Sequence, residues 1–138
     1  MRLFAATLLL LLSLNACKDK EIKNVPGELV GKWRLTSMQV TENGTTLWQD
    51  VQPGNHSFLY FSNYGEPVNS EGSLLYCGPT TLNINGRPLK IEFHADFPKD
   101  GPIPMCIECS TWNLDLQETN LEIEKCSPDG KMRFVKEK

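Results

Sequence analysis

From Gly31 onward the hydrophobic positions of the chain recur mostly every second residue. Gly31-Lys32-Trp33-Arg34-Leu35 alternates, and Met38 and Val40 continue on the opposite parity. Successive side chains of a strand point to opposite faces, so a parity change near Ser37 predicts a bulge or bend inside one long strand. Asn43-Gly44 ends that strand as a turn, and Thr45 to Trp48 begin the return. Ser57 to Asn63 is dense in aromatics and fits a strand buried on both sides or one at a sheet bend. Ser73 to Cys77 is a short strand candidate. The clearest hairpin runs from Thr80 to His94 around Asn85-Gly86, a pair that tolerates the positive φ of a type I′ turn. Pairing Ile84 with Arg87 sets Leu82 opposite Leu89 and Thr80 opposite Ile91. Leu82, Ile84, Leu89, Ile91 and Phe93 then share the inner face, and Pro88, Lys90, Glu92 and His94 the outer.

Asp96 to Cys109 carries Pro98, Gly101, Pro102 and Pro104 and reads as a loop. Beyond it Trp112, Leu114 and Leu116 share a face, and Leu121 and Ile123 follow a turn at Glu118-Thr119-Asn120. Pro128-Asp129-Gly130 then leads into a last strand, Lys131 to Lys136. One short helical turn around Gly27 to Val30 is the only helical signal, and no internal repeat is visible. About eight strands joined mostly by short turns predict an all-β domain. The expected architecture is an antiparallel up-and-down meander, closed as a barrel or left as an open sandwich; closure removes free edges and favours the barrel.

The other apolar run lies at the start. Arg2 precedes a mostly apolar stretch from Leu3 to Leu12. That length suits a signal-peptide core of about 7–15 residues and falls short of the roughly 20 that span a bilayer. It ends in Leu14-Asn15-Ala16-Cys17, which resembles the lipobox of bacterial lipoproteins. The resemblance implies residues 1–16 as an export signal, diacylglycerol on the Cys17 sulfur, cleavage after Ala16 and acylation of the new amino terminus. Membrane lipid would then be a partner through Cys17, since each buried methylene contributes about 0.8 kcal/mol and two or more chains hold stably. Residues 17–28, charged and carrying Pro26, are expected to form a flexible tether, with the domain occupying 29–138. Lys18, Asp19 and Glu21 are similar to the export signal of Bacteroidetes-type surface lipoproteins, with Lys20 departing from it. This implies a place in the cell envelope, on the outer membrane and facing its surface.

Removing residues 1–16 takes away one basic residue, Arg2. Thirteen basic side chains then face seventeen acidic ones, a net charge of −4 with no basic cluster, which argues against nucleic-acid binding. Four cysteines besides Cys17 remain: Cys77, Cys106, Cys109 and Cys126. An even number in an exported chain favours disulfides, with three possible connectivities. In the hairpin from Cys109 to Cys126, facing residues must sum to an odd number for the leucine and isoleucine faces to agree. Cys109 and Cys126 then share a face near each other, leaving Cys106 free to reach Cys77.

Gly31-Lys32-Trp33, opening the first long strand, looks like the G-x-W signature of lipocalins and of bacterial lipocalin-like lipoproteins. The resemblance implies a lipocalin-like barrel in which Gly31 lets the chain enter closely and Trp33 plugs the closed end. A basic residue of the last strand would cover the indole, and Arg133 is the candidate. It further implies a small, mostly apolar ligand inside the barrel. Such a barrel has room for one small ligand or for its own side chains. An unidentified protein partner docking on the loops is the other binding expectation.

Cys106-Ile107-Glu108-Cys109 admits a redox or soft-metal reading, with Met105 and His94 as further donors. With Pro104 it also resembles the Pro-Cys-x-x-Cys region of small envelope-stress and copper-resistance lipoproteins. Structural bridging is the competing reading and is preferred, with no metal or cofactor expected. His56 lies in a loop and His94 on a polar face, and neither sits in a nucleophile motif. Carboxylates such as Glu92 and Asp96 can be paired on paper, but nothing marks one as a tuned acid. The expectation is a non-catalytic binding protein.

Overall fold

The computed structural model describes residues 21–52, 54–55, 57–102, 109–126 and 130–138. They form nine strands: β1 (Gly31–Glu42), β2 (Thr45–Asp50), β3 (Phe58–Phe61), β4 (Pro67–Val68), β5 (Thr81–Ile84), β6 (Arg87–Lys90), β7 (Thr111–Leu116), β8 (Asn120–Glu124) and β9 (Lys131–Lys136). No helix occurs among the described residues, and Leu29 N–H donates to the Pro26 carbonyl in a single turn. The strands form one strongly curled sheet, a half-barrel of order β4-β3-β1-β9-β8-β7-β5-β6, with β2 added to β1. The architecture is all-β and consistent with a lipocalin-like barrel.

The long first strand organises the sheet. Its first half pairs with β3, its second half with β2, and its other edge with β9. The β1–β9 register shifts between Leu35 and Ser37, where the hydrophobic parity changes. Before the shift Trp33 and Leu35 face the core. After it Ser37 pairs with Arg133, and Met38 pairs with Met132 and packs on the core. One extra residue thus re-aims the strand.

The Asn85-Gly86 hairpin closes in the register set by its turn, Ile84 opposite Arg87 and Leu82 opposite Leu89, with φ of 50° and 78° at the two turn residues. The next pairing departs from an antiparallel meander. β7 lies parallel to β5, not antiparallel to β6, so the sheet is mixed. Parallel neighbours need a crossover of a dozen or more residues, and the long segment between β6 and β7 supplies one. The Asn85 side chain fastens the arrangement: its Oδ1 accepts from Leu116 N–H at 2.8 Å, and its Nδ2 donates to Leu116 O at 3.0 Å.

Three smaller expectations are corrected. Ser73 to Cys77 makes only an isolated bridge, Val68 to Leu74, not a strand. In β3 only Leu59 and Phe61 are buried; Phe58 is on the outside, with the Lys32 ammonium 3.9 Å from its ring centre. Phe93 is turned outward and half-exposed, because the ladder ends before it and the chain leaves the sheet.

The core is contiguous. Leu29, Trp33, Leu82, Trp112, Leu121 and Ile123 are its most enclosed members, and Leu35, Leu59, Phe61, Ile84 and Phe134 complete its layers. The segment expected as a tether packs on the domain from Ile22: Ile22 and Val25 lie against this core, and Ile22 N–H donates to Pro88 O on the edge of β6 at 2.8 Å. Apolar side chains at Ile22 and Val25 explain the docking, since burying them outweighs leaving a charged segment extended.

Candidate functional site

Leu14 to Cys17, expected to form a lipobox, lie outside the described residues, as do His56, Pro104, Met105, Cys106 and Pro128-Asp129. Cys109 and Cys126 form a disulfide with Cα atoms 5.5 Å apart. Cys77 is also disulfide-bonded. With its sulfur in a disulfide, Cys109 offers no thiolate to a metal. No group of three or more metal-ligating side chains converges among the described residues.

At the barrel end Gly31 enters β1 with φ of 122°, and Trp33 is fully buried with its Nε1–H donating to Leu29 O at 2.8 Å. The cation over its ring is Lys136, at 5.3 Å from the ring centre, and not Arg133. Register explains the correction. Trp33 pairs with Lys136 across the ladder, whereas Arg133 lies beyond the bulge, opposite Ser37. There its guanidinium stacks outward on Trp48, 3.7 Å from the ring centre, and its Nε bonds Glu122 at 3.1 Å. The Lys136 ammonium also reaches the Glu28 carbonyl, tying the last strand to the chain entering the first.

The interior is occupied by side chains, and the clefts described are open ones at the surface. The one that gathers most chemistry lies at the seam of the half-barrel, where no ladder joins β4 to β6. It measures about 590 Å³ and is lined by Glu21, Ile22, Lys23, Tyr64, Leu89, Lys90, Glu92 and His94 among others. Two features hold it. The turn between β3 and β4 brings Gly65 against Val25 and Leu89; a Cβ there would lie 3.3 Å and 3.2 Å from their methyl groups. Beside it Glu66, only 1% exposed, spans the gap with its carboxylate. Its Oε1 accepts the backbone N–H of His94 and that of Ala95, and its Oε2 accepts the Ser62 hydroxyl at 2.6 Å.

Burial opposes the charge on Glu66, but the His94 N–H, the Ser62 hydroxyl and the Ala95 N–H outweigh it and hold the carboxyl below its ordinary value. Such a group stays ionised near neutrality and serves as a clamp, not as a proton carrier. His94, placed in line by that clamp, stacks on Tyr64 with ring centres 3.7 Å apart and 13° between planes. On the outer wall Glu122 is also held low: burial opposes its charge, and hydrogen bonds from Arg133 and Lys131 overcome this.

Neither Tyr64 nor Glu66 carries a sequence signal for these roles. Tyr64 to Glu66 lie outside every element that the sequence predicts, and the partners of Glu66 at His94 and Ala95 are far along the chain. A weak local clue is Ser62 four residues before Glu66, the spacing at which hydroxyl and carboxylate meet across the turn.

No protein-family model, curated protein or solved structure matches this chain.

Proposed function

We propose that this chain is the precursor of a lipid-anchored, non-catalytic binding lipoprotein of the bacterial cell envelope. Residues 1–16 act as the export signal, Cys17 carries the lipid, and the lipocalin-like domain from 29 to 138 does the binding. The observation that carries the mode of binding is the filled interior. Trp33, Trp112, Leu82, Leu121 and Ile123 occupy the space in which a hollow barrel would hold a ligand. Close-packed interiors leave few voids larger than a water molecule. This favours recognition on the outer clefts and loops over a small apolar molecule carried inside. Beside the seam cleft the buried Glu66 carboxylate is saturated by donors and holds the chain in place.

The competing reading is an envelope-stress or copper-related lipoprotein using Cys106 and Cys109. The Cys109–Cys126 bond weighs against it, since an oxidised sulfur binds copper(I) poorly.

Intact mass spectrometry of the mature protein, native and denatured, with and without reductant, separates these readings. Two or three acyl chains on Cys17, a mass four hydrogens below the reduced chain and no adduct are the expected result. Free thiols carrying copper would select the competing reading, and a retained organic molecule would restore the interior as a carrier site.

A further inference from the structure

We infer that the rim beside the barrel seam, where Tyr64, Phe93 and Phe97 stand exposed, rests on the phospholipid surface. This rests on the lipoprotein reading above and adds which face of the domain meets the bilayer.

The three rings are 52%, 50% and 53% exposed. They sit on segments bound to one another. Tyr64 stacks on His94, the residue after Phe93, and Glu66 clamps the backbone of His94 and Ala95. Leu74 N–H donates to Asp96 O at 2.9 Å, and Phe97 stacks on Tyr76 with centres 5.5 Å apart. Large apolar side chains left in water on one small rim mark a contact surface.

Chain length selects the occupant. Glu21 lines the same cleft as Tyr64 and His94. Three residues separate it from Cys17, and the four Cα–Cα steps reach at most about 14 Å in any conformation. Acyl chains on Cys17 must lie in the hydrocarbon, beneath a headgroup layer of roughly 5–8 Å. With the cysteine side chain and its thioether-linked glycerol spanning most of the headgroup layer, the seam is held within about 15 Å of the bilayer surface, and a folded partner of roughly 30 Å does not fit beneath it. Tyrosine and other aromatic rings favour that layer. At the cleft Lys23 and Lys90 are balanced by Glu21 and Glu92, so the contact is carried by the rings and depends little on salt.

The test uses the full chain, matured in a lipoprotein-processing bacterium and reconstituted in phosphatidylethanolamine–phosphatidylglycerol vesicles. One set of vesicles carries bromine on the acyl chains just below the glycerol. Phe93→Trp and Phe97→Trp are made separately and compared with the parent, whose three tryptophans report the background. Either introduced indole, in a variant with the parent's circular dichroism, should lose about two-fold or more of its emission in brominated vesicles, in low and high salt alike. Acylated, vesicle-bound protein with both introduced indoles unquenched would overturn the inference and leave the lipoprotein reading intact. Protein without acyl mass and without vesicle association would overturn that reading, and the inference with it.

Discussion

The carboxylate of Glu66 accepts the backbone N–H of Ala95 at 2.9 Å, 29 residues further along the chain. With the neighbouring bond from His94 N–H, this one side chain joins the two ends of the curled sheet where no strand ladder does. Removing it by Glu66→Ala leaves buried donors unmatched, and each costs about 1–3 kcal/mol. Urea unfolding at neutral pH should show a loss of that order. Loss of less than about 0.5 kcal/mol, the level of an ordinary surface substitution, would mean the seam closes without it.

The same carboxylate sets an acid limit. Its folded pKa lies below the ordinary value of 4.5. Its contribution is therefore complete above that pH and is lost as the pH falls through the folded value. The urea midpoint of the parent should fall from about pH 5 to about pH 3, and Glu66→Gln should flatten that part of the profile. An unchanged slope in the Gln variant would assign the acid sensitivity to other carboxylates, with Glu122, also held low, the next to test.

Trp33 and Trp48 each lie under a cation of β9, but only Trp33 is wholly buried. Trp33→Ala removes a core indole and should cost about 3–5 kcal/mol. Lys136→Met loses the cation over that ring and the bond to Glu28 O, about 1 kcal/mol together, while Arg133→Met on the outer wall should cost about 0.5 kcal/mol. Denaturant titration of the three variants gives the order. An Arg133→Met loss matching that of Trp33→Ala would contradict the assignment of Lys136 to the barrel end.

The Cys109–Cys126 bond closes the β7–β8 hairpin over a separation of 17 residues. Loop-closure entropy assigns such a bridge about 3 kcal/mol. The double change Cys109→Ser, Cys126→Ser should lower unfolding stability by that order, and reductant should then have a smaller effect than on the parent. No difference between parent and variant would show that the ladder from Asn113–Glu124 to Leu116–Leu121 already determines the hairpin.

Much of this architecture is legible in short stretches of sequence because its causes are local. Asn43-Gly44 and Asn85-Gly86 permit the positive φ that two-residue turns require. The parity change at Ser37 places the bulge, and odd register sums put Cys109 and Cys126 on one face. One misreading depends on segments far apart. Phe93 fits the inward parity of its strand, yet the capture of His94 and Ala95 by Glu66 draws the chain off the sheet. Arg133 and Lys136 are both basic residues of the last strand, but they differ in parity: Lys136 shares the face of Met132 and Phe134, so alternation itself points to Lys136, a signal that the choice of Arg133 overlooks.

The sequence by itself determined the all-β class, the hairpin at Asn85-Gly86 and the alternating core positions, because side-chain alternation and turn chemistry act over a few residues. The tertiary structure alone decided that β7 runs parallel beside β5, that Ile22 and Val25 pack against the core, and that Glu66 binds His94 and Ala95 across the seam. These depend on which surfaces meet when the sheet curls. A one-residue bulge or a long crossover changes that meeting without altering any local preference.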